Sequence, residues 1–288
     1  MPAQDGRTFV ITGGASGLGL ELSRALAAAG AHVVMAVRNL DKGKDAADRI
    51  TATGVRGSVE VRLLDVSDLT SVRDFATQLP GGDVLVNNAG VMAIPRTTSV
   101  DGFELQLATN HLGHFALANL LLPKLTDRVV AVSSAAHHAG VVDVDDLDMD
   151  RRGYVPYAAY AQSKLANLLF VGELQRRLTA AGSRLRATAG HPGYTATSIQ
   201  HGTDSKFFSG LSHIGNAVMG MKPSQGALPV LYAATMDIPG NSYLGPGGFR
   251  ELFGSPALVG RTPAASDPDL AKALWARSEE LTGVVFPW

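Results

Sequence analysis

The sequence lacks cysteine altogether, and neither sign of charge dominates it. The 288 residues include no Cys, 25 Lys and Arg, and 26 Asp and Glu, for a formal net charge of −1. The absence of cysteine excludes a disulfide framework and thiolate metal sites, and it suits a reducing cytosol. A nucleic-acid binder usually carries a basic excess or stripe. We therefore expect a cytoplasmic protein with no nucleic-acid partner and no metal ion.

Long hydrophobic runs are also missing. The most apolar stretch, residues 112–125, contains Asn119, Pro123 and Lys124, so it is too short and too interrupted to span a bilayer. Residues 1–6 are polar and show no basic region followed by an apolar one, which argues against a signal peptide. We expect a globular protein with no membrane span, in keeping with 45% hydrophobic and 18% charged residues.

Short β-branched runs alternate with helical patterns over the first two-thirds of the chain. The predicted strands are residues 8–12, 32–37, 59–64, 84–86, 128–133 and 185–189. The predicted helices are residues 18–29, 41–53, 68–78, 103–122, 157–181 and 267–281, with Ser67 as the expected N-cap of the third. Continuously apolar runs such as 129–132 are typical of strands buried on both faces of a parallel sheet. The sequence predicts an α/β fold, a single domain over residues 1–288 with a doubly wound, Rossmann-type parallel sheet and helices on both faces.

Two later segments depart from this alternation. Residues 195–221 mix Gly, Ser, His and aromatic residues, and we expect them to cover a substrate site. Residues 240–256 are rich in Gly and Pro, which favours a surface loop or a sheet edge.

A glycine-rich turn follows the first predicted strand. Residues 12–19 have the spacing G-x-x-x-G-x-G and lead into the first helix. Glycines let the backbone approach a pyrophosphate, and a helix N-terminus offers free N–H groups. A tight turn without a ligand is the alternative. The position within a βαβ unit favours dinucleotide binding, and the residues expected to bind are Gly13, Ser16, Gly17, Leu18 and Gly19.

The end of the second strand distinguishes between the two nicotinamide cofactors. An acidic side chain at this position binds the ribose hydroxyls of NAD, but this chain has Val37 followed by Arg38. A guanidinium pairs with a 2′-phosphate, so NADP is favoured over NAD. The alternative is that Arg38 is a solvated surface charge.

Tyr160 and Lys164 are four residues apart in a predicted helix and therefore share one face. A phenol titrates near ~10 in water, and a cation one turn away lowers its pKa by favouring the phenolate. Such a tyrosine exchanges a proton with a carbonyl or alcohol oxygen during hydride transfer. Because this spacing is common on ordinary helices, the pair alone carries little information.

Further polar residues follow strands at the same predicted sheet edge, where ligands of open α/β sheets bind. They are Ser133 and Ser134 after the fifth strand, Asn87, Asn88, Ala89 and Gly90 after the fourth, and Pro192 and Gly193 after the sixth. Asn110 lies in the middle of a helix, where a polar amide needs a reason. A turn, a helix end or a core amide explains each residue alone, but their joint placement favours a catalytic site.

With these residues assembled, the chain resembles the short-chain dehydrogenase/reductase family over nearly its full length. The matching pieces are residues 12–19, Asp65, Val66, residues 87–90, Asn110, Ser134, residues 160–164, Pro192, Gly193 and Thr197. The resemblance implies that Tyr160 is the general acid/base and that Ser134 orients the substrate oxygen. It also implies that Lys164 binds the nicotinamide ribose and assists Tyr160, and that Asn110 holds a water in a proton relay to Lys164.

The same resemblance implies a set of cofactor contacts. They are Asp65 at the adenine, Asn87 and Gly90 on the adenosine side, Thr197 at the nicotinamide end, and in addition Val66, Ala89, Pro192, Gly193 and Thr195.

The connection between Ser134 and Tyr160 narrows the resemblance. It spans 26 residues and carries five aspartates, at positions 143, 145, 146, 148 and 150. Together with residues 133–138 and 163–167, this length is similar to the retinol-dehydrogenase-like branch, which generally prefers NADP. We interpret the aspartates as a solvated connection rather than a calcium loop, and His111 and His114 as packing residues rather than metal ligands.

We expect hydride transfer between NADPH and the carbonyl or alcohol carbon of an apolar or mid-sized small molecule. The apolar residues that suggest this preference are Phe207, Phe208, Leu211, Ile214, Val218 and Met219. A non-catalytic NADP(H) sensor and a C=C reductase on the same fold are the alternatives, although a sensor usually lacks the tyrosine or lysine present here. A homodimer or homotetramer is also expected, with the helices at 103–122 and 157–181 pairing between subunits as in many relatives.

Overall fold

The computed structural model describes residues 1–193 and 223–288. Within these residues one sheet has the strand order β3-β2-β1-β4-β5-β6-β7-β8. The strands are β1 (Thr8–Thr12), β2 (His32–Val37), β3 (Ser58–Leu63), β4 (Gly82–Asn87), β5 (Leu125–Val132), β6 (Arg186–Gly190), β7 (Tyr243–Pro246) and β8 (Pro256–Leu258). Neighbouring strands are parallel except for the last pair, because β8 runs antiparallel to β7. The order reverses direction at β1, which is the arrangement of a doubly wound sheet.

Helices cover both faces of this sheet. They are α1 (Gly17–Ala28), α2 (Leu40–Thr51), α3 (Leu69–Gln78), α4 (Leu105–Leu107), α5 (Gly113–Leu121), α6 (Pro156–Ala180), α7 (Pro223–Thr235) and α8 (Pro268–Thr282). Side chains of α1, α2 and α7 share one apolar core, and those of α3, α5, α6 and α8 share another. The prediction of a Rossmann-type α/β fold is therefore confirmed.

The two cores explain why the strands read as continuous apolar runs. Val10 of β1 belongs to one core, whereas its neighbours Phe9 and Ile11 belong to the other. Because successive side chains of a strand point to opposite faces, a strand covered on both sides has no polar face. Val129 and Val130 of β5 are divided between the two cores in the same way.

The helix starts fall into two groups. Side chains of Asn39, Asp68 and Asp267 accept hydrogen bonds from backbone N–H groups at the starts of α2, α3 and α8. The expected cap at Ser67 is wrong, because Ser67 instead bonds Asp65 with both its N–H and its hydroxyl. Ser16 at the start of α1 makes no capping bond with its side chain, so the first N–H groups of α1 have no side-chain acceptor from this position.

Two predicted elements differ from the structure. The helix expected over 103–122 is divided by a π-helical turn, Ala108–Leu112, between α4 and α5. The segment 240–256, expected to be a surface loop or a sheet edge, contains β7, all of whose residues are buried, and β7 pairs with the edge strand β8. The substrate-covering segment expected at 195–221 lies outside the described residues.

Helix α8 covers the surfaces through which subunit pairing was expected. Trp275 of α8 stacks on Phe170 of α6 at 5.7 Å and meets Phe115 of α5 edge-on at 4.8 Å. Trp275 is 2% exposed. The same chain therefore occupies this face of α5 and α6, and the expected homodimer or homotetramer stays a prediction.

Candidate active site

A cavity of about 970 Å³ lies at the carboxyl ends of the strands. The predicted site residues that line it are Gly13, Ser16, Gly17, Leu18, Gly19, Arg38, Asp65, Val66, Ala89, Gly90, Ser134, Tyr160, Lys164, Pro192 and Gly193. Asn87 and Asn110 are buried behind the lining, and Thr195 and Thr197 lie outside the described residues. The structure thus brings together, on one cavity wall, residues that follow six different strands.

The glycine-rich turn has little room for side chains. Gly13 has φ of +67°, and a Cβ there would approach Ala89 Cα at 3.1 Å. A Cβ on Gly19 would lie 2.3 Å from Gly13 O, a distance that atoms do not tolerate. This tightly packed turn leads directly into the N-terminus of α1, which has no side-chain cap. These features fit the phosphates of a dinucleotide, which accept hydrogen bonds from free N–H groups at a helix start.

Thr12, Asn88 and Ala89 connect the glycine turn to the loop after β4. The backbone N–H groups of Asn88 and Ala89 both donate to Thr12 Oγ1 at 2.9 Å, and Asn88 Nδ2 donates to Thr12 O at 2.8 Å. Asn88 lines the cavity. Asn87, the residue proposed for an adenosine contact, points instead toward the helix behind, with Nδ2 at 3.5 Å from His114 O.

The end of β2 presents cations and an amide to the cavity. Val37, Arg38, Asn39 and Lys42 all line it. Asn39 is held as the cap of α2, because its side chain accepts from Lys42 N at 2.9 Å. Lys42, in the first turn of α2, was not among the predicted site residues.

Tyr160 is almost completely buried, at 7% exposure. Burial raises its pKa to about 12, and a hydrogen bond with the Ser134 hydroxyl opposes that rise. The pKa of Tyr160 thus lies above its usual value because of burial. The Nζ of Lys164 lies 5.6 Å from the centre of the tyrosine ring, and its effect on the Tyr160 pKa stays a prediction.

Lys164 is buried beside the backbone of β5. Its Nζ donates to Val132 O at 3.1 Å, and no salt bridge to it occurs in the described part of the chain. Burial lowers the pKa of Lys164 to about 8. The ammonium is thus still charged at neutral pH, and it keeps donors available for ligand hydroxyls.

The two serines after β5 have different tasks. Ser133 is fully buried, and its hydroxyl donates to Lys164 O at 2.8 Å. Ser134 faces the cavity, and its Oγ accepts from Ala136 N at 3.1 Å. Because an accepted bond leaves its own proton free, the Ser134 hydroxyl can still donate to a substrate oxygen.

Asn110 occupies the π-helical turn and ties two loops together. Its amide accepts from Val91 N and donates to Val91 O, both at 2.9 Å, and it also donates to Ser163 Oγ at 2.9 Å. Ser163 Oγ in turn donates to Tyr160 O at 2.7 Å. The Asn110 side chain therefore positions the loop after β4 against the turn of α6 that carries Tyr160.

His114 supports the same network from behind. Its Nε2 lies 2.8 Å from Thr12 Oγ1, and its Nδ1 lies 3.2 Å from Asn110 O. Burial lowers the pKa of His114 to about 3, so the ring is neutral. Since a carbonyl only accepts, the proton is on Nδ1 and Thr12 donates to Nε2.

The acidic connection before α6 is folded onto the protein. Asp146 accepts from the backbone N–H groups of Arg151 and Arg152, and the Arg152 guanidinium reaches Gln162 Oε1 at 2.6 Å. Asp148 accepts from Glu104 N at 2.7 Å, close to α4. The bonds from Arg152 to Gln162 and from Glu104 to Asp148 attach the connection to α6 and to the residue before α4. No metal-binding cluster of three or more His, Cys, Asp or Glu occurs in residues 1–193 and 223–288.

Several cavity residues were missed by the sequence analysis. They include Lys42, Met92, Leu105, Tyr157, Glu251 and Leu252. Glu251 and Leu252 come from the segment expected to be a surface loop, and no local motif marks them.

A Rossmann-type sheet with a glycine turn, a serine–tyrosine pair at the cavity and a neighbouring lysine defines an oxidoreductase that uses a nicotinamide dinucleotide. Residues 7–206 match the sequence model described as short chain dehydrogenase. The chain belongs to the short-chain dehydrogenase/reductase family, and it is an NAD(P)-dependent enzyme that transfers hydride.

Individual relatives place it in the retinol-dehydrogenase-like branch. Retinol dehydrogenase 13 of Homo sapiens is 38% identical over 298 residues, which cover 98% of this chain and 86% of the relative. Polyprenol dehydrogenase of Mus musculus is 37% identical over 298 residues, with the same two coverages. A crystal structure of an uncharacterized protein from Mycobacterium paratuberculosis has a TM-score of 0.86 and 51% identity, and covers 100% of this chain and 97% of that one. In the described residues, no helix is both long and apolar enough to cross a membrane.

Proposed function

We propose that this protein reduces the carbonyl group of an apolar or mid-sized small molecule with NADPH, reversibly to the alcohol. The observation that carries the proposal is the shared cavity. Tyr160, Ser134 and Lys164 line one part of it, and the cationic end of β2 lines another.

The chain's own groups supply the proton and the orientation. The bound nicotinamide supplies or accepts the hydride. Tyr160 donates its phenolic proton to the carbonyl oxygen, and Ser134 donates a second hydrogen bond to the same oxygen. Lys164 holds ribose hydroxyls and stabilises the phenolate that remains on Tyr160.

Tyr160 donates its proton from the neutral phenol. Burial keeps the phenol protonated at neutral pH, since its pKa is about 12, and the protonated form is the one that donates. Formation of a phenolate requires the nearby positive charge of Lys164, so the two residues act as a unit.

The preference for NADP rests on Arg38 and Lys42. Both line the cavity next to Val37, which stands where an NAD-binding enzyme has an acidic residue. Two cations match the charge of a 2′-phosphate, and a guanidinium binds its oxygens with two parallel hydrogen bonds.

The apolar preference rests on the other walls of the cavity. Met92, Leu105, Tyr157 and Leu252 line it, and these side chains favour an apolar substrate body. The names of the two relatives above contain retinol and polyprenol, which are both apolar alcohols.

A two-stage experiment tests this function. Calorimetric titration with NADPH and NADH should give at least about tenfold tighter binding of NADPH, and Arg38→Ala should remove most of that difference. A panel of ketones, aldehydes and enones is then assayed with the preferred cofactor. Tyr160→Phe should bind NADPH normally and lose at least about 100-fold in kcat.

Three outcomes would contradict the proposal. Equal affinity for both cofactors would remove the assignment of Arg38 and Lys42. A Tyr160→Phe variant with full activity would remove the proton-transfer role. Turnover of enones at the C=C bond alone, or binding of NADPH without turnover of any compound, would favour a C=C reductase or a cofactor sensor.

A further inference from the structure

A buried histidine connects two segments of the cavity wall. His191, directly after β6, is fully buried, and both ring nitrogens are engaged. Nδ1 accepts from Gly193 N at 3.2 Å, and Nε2 lies 3.0 Å from Glu251 Oε2. Since a backbone N–H only donates, Nδ1 carries no proton, and Nε2–H donates to the carboxylate. Burial lowers the pKa of His191 to about 4, which agrees with a neutral ring.

The surroundings of His191 allow little movement. A Cβ on Gly245 would lie 2.0 Å from His191 Nε2, so the β7 backbone passes directly against the ring. A Cβ on Gly193 would lie 2.8 Å from Leu252 O, and Gly193 has φ of +67°. The contacts between these segments therefore fix the direction of the Glu251 carboxylate as well as the Pro192–Gly193 backbone.

Glu251 is held in an unusual backbone conformation. Its φ is +59°, and that of the preceding Arg250 is +49°. Non-glycine residues in this left-handed region are uncommon and cost free energy, and they persist where surrounding contacts hold them. The side chain lines the cavity that also contains Tyr160 and Ser134. His191 takes carboxylate oxygen Oε2, and an ionised carboxylate has further acceptor sites on both oxygens.

We propose that Glu251 is a specificity-determining residue whose carboxylate accepts a hydrogen bond from a hydroxyl group of the substrate, with His191 as its positioning residue. The preferred substrates are thus hydroxy ketones or hydroxy aldehydes with an otherwise apolar body. This inference rests on the proposed carbonyl reduction and adds the substrate class to it.

A neutral hydroxyl fits this cavity better than an ammonium group. Lys164 already places a buried cation in the same cavity, without a carboxylate partner among the described residues. A cationic substrate would meet repulsion from Lys164 in surroundings of low dielectric constant. A hydroxyl satisfies the carboxylate without adding charge, and its loss leaves a partly buried acceptor unpaired, which is the basis of strong discrimination.

The test compares matched ligands on matched variants. The ligands are ketones of one carbon skeleton that carry a hydroxyl, a methoxy group, an amine or only hydrogen at successive positions from the carbonyl. The variants are Glu251→Gln, which replaces the anion by an amide of similar shape, and His191→Asn. Glu280→Gln serves as the control, because Glu280 lies on α8 and is paired only with Arg277 in the described structure. Each protein is assayed for kcat and KM, and ligand affinity for its NADPH or NADP complex is measured by calorimetry.

The expected result is a preference of about 10- to 100-fold in kcat/KM for the hydroxyl over the methoxy ligand at one position, carried mainly by KM. Glu251→Gln should reduce this preference to within about threefold, chiefly by raising KM for the hydroxyl ligand. His191→Asn should weaken both the hydroxyl preference and cofactor affinity, because His191 also holds Gly193. Glu280→Gln should behave as the unmodified protein.

The outcomes separate this inference from the proposed function. Reduction of ketones without any hydroxyl preference, or a preference that survives Glu251→Gln, overturns the role of Glu251 and leaves carbonyl reduction in place. A preference for the amine overturns the choice of a neutral hydroxyl. If no carbonyl is reduced, the proposed function fails, and the calorimetric comparison of hydroxyl and methoxy ligands still decides whether Glu251 binds a hydroxyl.

Discussion

The two ends of the sheet treat buried charge in opposite ways. At the amino ends of the strands, Asp127 on β5 bonds the guanidinium groups of Arg7, Arg128 and Arg186. Arg128 is only 2% exposed and also donates to Ala233 O near the end of α7 and to Met236 O just after it. At the carboxyl ends, Lys164 is equally buried, and its hydrogen-bond partner in the described part of the chain is the backbone carbonyl of Val132.

The pKa values record this difference. Burial acts to raise the pKa of Asp127, but the surrounding arginines outweigh it and hold the pKa below its usual value. Burial lowers the pKa of Lys164 to about 8 because no anion compensates for it. The charges at the amino ends of the strands therefore contribute to stability. At the carboxyl ends, Lys164 stays an uncompensated cation, which is stabilised only when a bound ligand and the Tyr160 phenolate are present.

The largest effect expected from this comparison is that of Lys164→Met. Activity should fall by at least about 1000-fold, because Tyr160 loses the charge that stabilises its phenolate. The free energy of unfolding should rise, on the order of 1–2 kcal/mol at pH 7, because a buried unpaired cation is removed. Steady-state kinetics and urea unfolding of the same preparation measure both. A variant that is both inactive and less stable would show that Lys164 stabilises the fold.

The pH dependence of the free energy of unfolding provides a second test of whether Lys164 is an uncompensated buried cation. The pKa of Lys164 is about 8 in the folded protein and about 10.4 in an unfolded chain. The unfolded state therefore binds more protons between these values, and this group makes stability rise with pH from about 8 to about 10. Urea unfolding from pH 7 to 10 should show a steeper rise in the unmodified protein than in Lys164→Met. Parallel curves would mean that Lys164 keeps an ordinary pKa.

At the amino end, Asp127→Asn should do the reverse of Lys164→Met. It leaves three arginines without their shared anion, one of them fully buried, so stability should fall by about 3 kcal/mol. Because the change lies at the opposite end of the strands from the cavity, kcat/KM per folded molecule should stay within about twofold. Thermal unfolding and kinetics below the transition measure the two quantities. A large loss of kcat/KM at unchanged stability would overturn the division of roles.

The smallest expected effects concern the starts of α1 and α3, which both lie at the carboxyl ends of the strands. Asp68→Ala removes the two hydrogen bonds that cap α3 and should cost about 1 kcal/mol of stability. Ser16→Ala should change stability by only a few tenths of a kcal/mol, because Ser16 makes no capping bond. It should instead weaken NADPH binding, since Ser16 lines the cavity. Equal losses of stability in both variants would show that α1 is capped like α3.

The architecture could be predicted because it depends on repeated patterns. Runs such as Phe9–Ile11 recur in strand after strand, and burial on two faces is the one arrangement that suits them. The sequence also predicted which end of the sheet carries the site, since parallel strands bring their carboxyl ends together.

What the sequence did not predict depends on contacts between distant segments. The pKa of Tyr160 depends on how completely its surroundings exclude water, and spacing from Lys164 says nothing about that. The choice between Asn87 and Asn88 depends on which side of the strand end faces the cavity. His191 and Glu251 meet across 60 residues of sequence, and the π-helical turn at Asn110 interrupts an apolar run that reads as one helix.

The cover formed by α8 over α5 and α6 has a practical consequence for dilute samples. In a protein where a second subunit covers such a surface, dilution dissociates the subunits and exposes the core next to the catalytic tyrosine. Here the cover is Trp275 of the same chain, stacked on Phe170 and held by a cation–π contact with Arg177 at 4.6 Å. That contact is intramolecular, so its occupancy does not depend on concentration. Nanomolar assays and micromolar unfolding experiments therefore examine the same packing around the helix that carries Tyr160.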